Sequence, residues 1–252
     1  MNTAVNPDTM NLQLQRLRKA QRAEGIPTAA VRKERLQRCI DMLVDHQEIL
    51  VNTLDEDYGG RSPYLTKMAD ILQPIGHLKH AIKNVDKWMK PEKRSPMFPM
   101  GILGGKARIE YQPLGVVGIM SPWNFPMAMI FHPLATALAA GNRAMIKPSE
   151  FNPKTADLLE KLFKEYFTED EIVVVNGGPE AGGAFSALPL DHIIFTGATS
   201  IGKMVMQAAS QNLTPVTLEL GGKSPTIVSK KYDVSKAAEM IMSGKIMNAG
   251  QV

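Results

Sequence analysis

Thr217-Leu218-Glu219-Leu220-Gly221-Gly222-Lys223-Ser224-Pro225 carries one carboxylate to the end of a short apolar run and then breaks on two glycines. A strand that delivers an acid into a turn of bare backbone can aim a general base at something bound close by. The plainer reading is a solvated strand end. Two other stretches bear on the choice: Phe195-Thr196-Gly197-Ala198-Thr199-Ser200-Ile201-Gly202 upstream, and Lys245-Ile246-Met247-Asn248-Ala249-Gly250-Gln251-Val252 downstream.

Outward from that stretch, the same texture repeats back to Pro113. Short apolar runs at 115–120, 143–147, 172–175, 192–195 and 216–220 alternate with helical segments at about 126–140, 153–167, 180–188 and 200–211. Strands separated by helices of this length predict right-handed βαβ crossovers, hence an α/β fold with a Rossmann-like parallel sheet. A further helix is expected from Asp233 to about Met247, capped by the Asp, with Ala237, Ala238, Ile241, Met242 and Ile246 on its inner side.

Before Pro113 the chain reads differently. Ile40, Leu43, Val44, Leu50, Val51 and Leu54 recur at helical intervals and predict one helix face, ended by Gly59-Gly60. A second stripe runs through Met68, Ile71, Leu72, Ile75, Leu78, Ile82 and Val85. Pro91–Pro99 reads as a proline-rich connector, and 106–112 alternates like a half-exposed strand. An N-terminal helical part is therefore expected over 1–90.

Composition narrows the function. With 252 residues, 44% of them apolar, the chain can bury a full core, and 21% charged residues argue against disorder. The formal charge of +4 is mild, and the basic residues of the first forty positions sit at helical spacing without a recognition motif, so no nucleic acid is expected. The single cysteine, Cys39, excludes an internal disulfide and reads as a small core residue. His77 and His80, at i and i+3, lack a third ligand, so no metal site is expected. The N-terminus has no leader pattern, and 127–140, the longest apolar stretch, is too short to span a bilayer. The expectation is a cytoplasmic protein without a membrane segment.

In an open parallel sheet, ligands gather at the carboxyl ends of the strands. Ser121-Pro122-Trp123-Asn124-Phe125-Pro126, Lys147-Pro148-Ser149-Glu150, Thr196–Gly202 and Glu219–Gly222 all fall at such ends. Gly197–Gly202 is either an ordinary βα loop or a pyrophosphate turn that offers the free N–H groups of a helix start. Lys147 and Glu150 are either a surface ion pair or ribose ligands. Asn124 is either the N-cap of the helix that follows or a donor to a developing oxyanion.

Together these residues strongly resemble the aldehyde dehydrogenase superfamily. The matching pieces are Pro122-Trp123-Asn124-Phe125-Pro126, Ala140-Gly141-Asn142 with Lys147-Pro148-Ser149-Glu150, Phe195-Thr196-Gly197 with Gly202, Leu218–Pro225, and Asn248-Ala249-Gly250-Gln251. Within the superfamily the chain resembles the class 3 branch and the bacterial coniferyl aldehyde dehydrogenases.

The resemblance implies oxidation of an aldehyde to its acid with NAD, NADP being possible. Asn124 is then the oxyanion donor and Glu219 the general base. Lys147 and Glu150 hold the adenosine ribose, Gly197, Ser200 and Gly202 form the pyrophosphate turn, and Trp123, Leu220 and Gly221 also belong to the cofactor site. It further implies an NAD(P)-binding domain over 1–225, bridging strands at about 100–113, the start of a catalytic domain over 226–252, and a homodimeric or homotetrameric parent. The family nucleophile, a cysteine, belongs directly after the Asn-x-Gly-Gln-x segment, which here ends on Val252. The expectation is that residues 1–252 alone are inactive, half an active site. The rival readings are a non-catalytic nucleotide- or partner-binding module, and an acylating relative that passes a thioester to coenzyme A; the retained Glu219 speaks for hydrolysis.

Overall fold

The computed structural model describes residues 7–252, so the leader-free reading of the first six residues lies outside the described part. Strands β3 (Val116–Met120) and β4 (Arg143–Lys147) are buried along their whole length. That is why they read as unbroken apolar runs: helices cover both faces of the sheet they form. With β5 (Ile172–Val174), β6 (His192–Gly197) and β7 (Val216–Leu220) they make a five-stranded, wholly parallel sheet in the order β5-β4-β3-β6-β7. The chain starts in the middle at β3, builds outward to β5, then returns to the other side of β3. Its topological switch point therefore lies between β3 and β6, where ligands bind in doubly wound sheets.

Helices α6 (Ala128–Ala139) and α7 (Pro153–Tyr166) lie on one face, and α8 (Pro179–Ser186) and α9 (Thr199–Ser210) on the other. The expected N-terminal helical part divides between them. Helix α1 (Pro7–Glu24) packs Met10, Leu14 and Leu17 into the α8–α9 side of the core. Helices α2 (Ala29–Asp45), α3 (Gln47–Tyr58) and α5 (Gln73–Trp88) form an outer layer over α6 and α7.

Three expectations change here. The stripe expected as one helix is two: the chain breaks at His46 between α2 and α3, and Val44, expected on the inner face, is exposed. Gly59, left-handed at φ 66°, does end α3. The second stripe also changes phase. A four-residue turn, α4 (Pro63–Thr66), runs into a π-helical segment, Lys67–Leu72, before α5 begins. The extra residue of the π-turn swings Met68 and Leu72 outward and brings Asp70 to zero exposure. Lastly, the connector contains a strand: β1 (Glu92–Arg94) pairs antiparallel with β2 (Ala107–Ile109), so the hairpin lies outside the sheet and half of it outside 100–113.

Helix α10 (Val234–Lys245) has the expected cap, Asp233 accepting from Lys236 N–H at 2.9 Å. Of the face expected inward, Ala237 is buried and Ile241 half-buried, while Ala238, Met242 and Ile246 are exposed. Cys39 is fully buried, and burial pushes its thiol well above the usual range, so it is an inert core group. Among the described residues no helix is long and apolar enough to cross a membrane.

The amino ends of the strands are tied down by charge. Glu24 bonds Arg35 at 2.7 Å and Arg143 at 2.8 Å, and Glu171 bonds Arg35 at 3.0 Å and Arg38 at 2.7 Å, joining α1 and α2 to β4 and β5. Burial alone pushes the Glu171 carboxyl up; the bonds and charge of Arg38, the Thr168 N–H and Arg35 outweigh it and hold it at about 2, against an ordinary 4.5. A depressed carboxyl adds stability that is fully present above pH 4.5 and is lost as pH falls towards 2. The expected contribution at neutral pH is about 2–3 kcal/mol after allowing for solvent screening. Denaturant titrations of wild type and Glu171→Gln should show a stability gap that narrows below about pH 4.5; a gap independent of pH rejects this account.

Candidate active site at the carboxyl edge of the sheet

Strand register brings the four motif-bearing loops level. Met120 pairs with both Lys147 and Phe195, Thr196 with Glu219, and Gly197 with Leu220, so each loop leaves the sheet at the same edge. On β7, Val216 and Leu218 turn towards the core under α9, which sends Thr217 and Glu219 to the opposite face, the face that α6 covers. Thr217 Oγ1 meets His192 Nε2 there at 2.9 Å. The Glu219 carboxylate is exposed and makes no hydrogen bond or ion pair with a described residue.

The N-cap reading of Asn124 fails on geometry. The first N–H groups at the start of α6, those of Met127 and Ala128, donate to Asp70 Oδ1 at 3.2 and 3.0 Å. Relieved of capping, the Asn124 amide donates instead to the Gln251 carbonyl at 3.1 Å. Asn248 Nδ2 returns the contact, donating to the Asn124 carbonyl at 2.9 Å and to the Gln251 carbonyl at 3.0 Å. Asn248 and Ala249 both hold left-handed backbone, at φ 47° and 53°, which costs energy in residues other than glycine. Two motifs 124 residues apart in sequence are thus bonded to each other.

Sequence reasoning missed the groups behind this loop. Arg61 donates to the Asn124 carbonyl at 2.8 Å and to Asp70 Oδ2 at 2.7 Å, and Tyr58 Oη donates to the Trp123 carbonyl. Burial pushes the Asp70 carboxyl up, against the Arg61 charge and the two backbone donors that favour the carboxylate. The available signal was an acid set within an apolar stripe, hidden by the π-turn that changes the stripe's phase.

Two helix starts on this edge, those of α8 and α9, lack a side-chain cap, while those of α6 and α7 have one. Asp57 caps α7, accepting from Lys154 N–H at 3.1 Å and Thr155 N–H at 2.8 Å, as Asp70 caps α6. The first turn of α9, which includes Ser200, has no side-chain cap. Its free N–H groups and positive dipole end therefore stay available to a phosphate. The two glycines of that turn also have a packing role. A Cβ on Gly202 would lie 2.8 Å from Leu220 Cδ2, so its absence lets α9 settle onto β7, and one on Gly197 would lie 2.6 Å from the Phe195 ring of its own strand. Gly221 has open space around it.

Lys147 is not part of a surface pair. It is 3% exposed, donating to the Pro148 carbonyl at 2.8 Å and lying 3.4 Å from Glu150 Oε2. Burial lowers its pKa and the Glu150 charge partly restores it. An ammonium has three donors, so one remains for a ligand hydroxyl. The uncapped α9 turn and this spare donor are compatible with a ligand that carries both phosphate and hydroxyl groups.

The aldehyde dehydrogenase family model matches residues 4–252. The chain belongs to the aldehyde dehydrogenase family. Among aldehyde dehydrogenases it is 51% identical to a "probable coniferyl aldehyde dehydrogenase" of Caulobacter vibrioides, over all of this chain and 53% of that protein. It is 46% identical to coniferyl aldehyde dehydrogenase of a Pseudomonas species, over 98% of this chain and 51% of that one. Among solved structures, the substrate-bound state of AldH from Staphylococcus aureus superposes with a TM-score of 0.90 at 34% identity, covering 96% of this chain and 52% of that chain. The chain spans about half the length of the curated aldehyde dehydrogenases it matches.

Proposed function

We propose that these residues supply the cofactor site and half of the catalytic groups of an NAD-dependent aldehyde dehydrogenase that oxidises an aldehyde to the carboxylic acid. The observation that carries this reading is the Asn124 amide, freed from capping by Asp70 and aimed at the Gln251 carbonyl. In the family pattern the cysteine that attacks the aldehyde follows Asn-x-Gly-Gln-x, so the amide points to the place where negative charge develops on the carbonyl oxygen. Glu219, exposed on the same face of the sheet, activates the water that releases the acid. Bound NAD⁺ supplies the hydride acceptor. Lys147 and Glu150 would hold its adenosine ribose, Gly197, Ser200 and Gly202 its pyrophosphate turn, and Trp123, Leu220 and Gly221 the remainder of its site. The domain reading that goes with this is a cofactor domain over 1–225 and the start of the catalytic domain over 226–252.

The relatives named for coniferyl aldehyde favour an aromatic substrate. A relative from Staphylococcus aureus named 4,4'-diaponeurosporen-aldehyde dehydrogenase, 39% identical, keeps a long-chain aldehyde in view. Assays of the full-length protein with coniferyl aldehyde and with long-chain aliphatic aldehydes, following NADH and the acid together, test the reading. Equal yields of both support it. Nucleotide binding without acid from any of these aldehydes would replace it with the non-catalytic module. We place the protein in the cytoplasm as a homodimer or homotetramer; fractionation and sedimentation test both.

Cofactor choice gives a sharper expectation. A 2′-phosphate on the ribose would meet the Glu150 carboxylate with like charge, at a cost of about 1–3 kcal/mol near a protein surface. The kcat/KM for NAD⁺ should therefore exceed that for NADP⁺ by about 5–100-fold, and Glu150→Gln should narrow the ratio. A preference for NADP⁺ that Glu150→Gln leaves unchanged overturns this role.

A further inference from the structure

Arg61 lies outside the groups assigned to the reaction, yet it touches both sides of the site. Its side chain is 3% exposed and that of Asp70, its partner at 2.7 Å, is 0% exposed. From one guanidinium nitrogen it reaches the Asn124 carbonyl at 2.8 Å and Asn248 Oδ1 at 3.1 Å, across 187 residues of sequence. Its guanidinium lies 4.7 Å from the Tyr58 ring centre and 5.3 Å from that of Phe125. Asp70 gives its other oxygen to the Met127 and Ala128 N–H groups.

Stability is a poor reason for such a pair. Buried ion pairs can often be replaced by apolar side chains at no cost, because desolvation consumes the Coulombic gain. What the pair does provide is geometry. A planar fork with fixed donor directions suits the holding of several acceptors at set separations. Here it holds the Asn124 carbonyl on one side and, on the other, the side-chain oxygen of Asn248, a residue whose left-handed backbone persists only where its surroundings impose it.

We propose that Arg61, fixed in place by Asp70, is a positioning residue that sets the Asn124 amide against the 248–251 segment. The reacting carbonyl would sit between those two elements, so a shift between them of about 1 Å would cost rate without weakening cofactor binding. The proposal rests on the aldehyde-oxidation reading for its catalytic consequence, but not for its geometry.

The test is a double-mutant cycle in the full-length enzyme. Arg61→Gln and Asp70→Asn should each slow the NADH burst by about 10–100-fold with the KM for NAD⁺ changed less than about twofold. Arg61→Lys, which keeps the charge beside Asp70 but not the fork, should recover part of the rate. In an Asn124→Ala background the same changes should slow the burst by less than about twofold, since the group they position is gone. Additive losses in that background overturn the proposal, because Arg61 would then act on the fold rather than through Asn124. If Arg61→Gln does not fold, Arg61→Lys and Asp70→Asn carry the cycle. If the wild-type enzyme oxidises no aldehyde, the activity reading fails on its own and hydrogen exchange reads the geometry. Arg61→Lys should speed exchange in 121–126 and 246–251 together while 172–175 stays unchanged; unchanged exchange in either active-edge segment overturns the proposal.

Discussion

Glu219→Gln in the full-length enzyme is expected to leave a rapid burst of NADH and to slow steady-state turnover by about 10²–10⁴-fold, the usual reach of a general base. Hydride transfer does not need the base; release of the acid does. The carboxylate suits that task because it stands near the end of the edge strand, exposed to water and bonded to no described side chain, while its backbone pairs with Thr196 of β6. Stopped-flow absorbance separates the two phases. If burst and turnover both stay near wild type, Glu219 is a solvated strand end.

The second large effect belongs to Asn124. Asn124→Ala should slow the burst itself by about 10²–10³-fold, because a fixed donor to the developing oxyanion acts before hydride transfer and is not replaced by mobile water. The KM for NAD⁺ should move by less than about twofold, since the amide faces Gln251 and not the α9 turn. Together the two variants divide the reaction: one fails before the burst, the other after it. A normal burst in Asn124→Ala removes the oxyanion role. A large rise in the KM for NAD⁺ would instead make Asn124 part of the cofactor site.

The sheet was legible because its strands are short apolar runs bounded by glycine and proline. Arg143–Lys147 and Val216–Leu220 have the boundaries expected of them. The loops of the site were legible for the same reason, since parallel strands must release them at one edge. Strand β1 escaped notice because Glu92-Lys93-Arg94 has no alternation and lies among prolines. The break at His46 was hidden because apolar spacing continues across it. Asp70 was hidden twice: a carboxylate within a stripe reads as a surface residue, and only the π-turn turns it inward. Its partner Arg61 follows a glycine pair and looked like part of a loop. Periodicity reports which face a residue shares; it does not report a side chain that caps a helix far along the chain.

That long reach has a consequence for the order in which the protein is made. The carboxylates that cap α6 and α7 are Asp70 and Asp57, supplied 57–58 and 97–98 residues before the N–H groups they receive. During synthesis, when N-terminal segments emerge first, each helix would leave the ribosome with its cap already waiting. A piece begun after residue 90 would instead expose both helix starts bare beneath the site. The N-terminal helices thus act as a template on which the sheet's own helices are completed as they arrive.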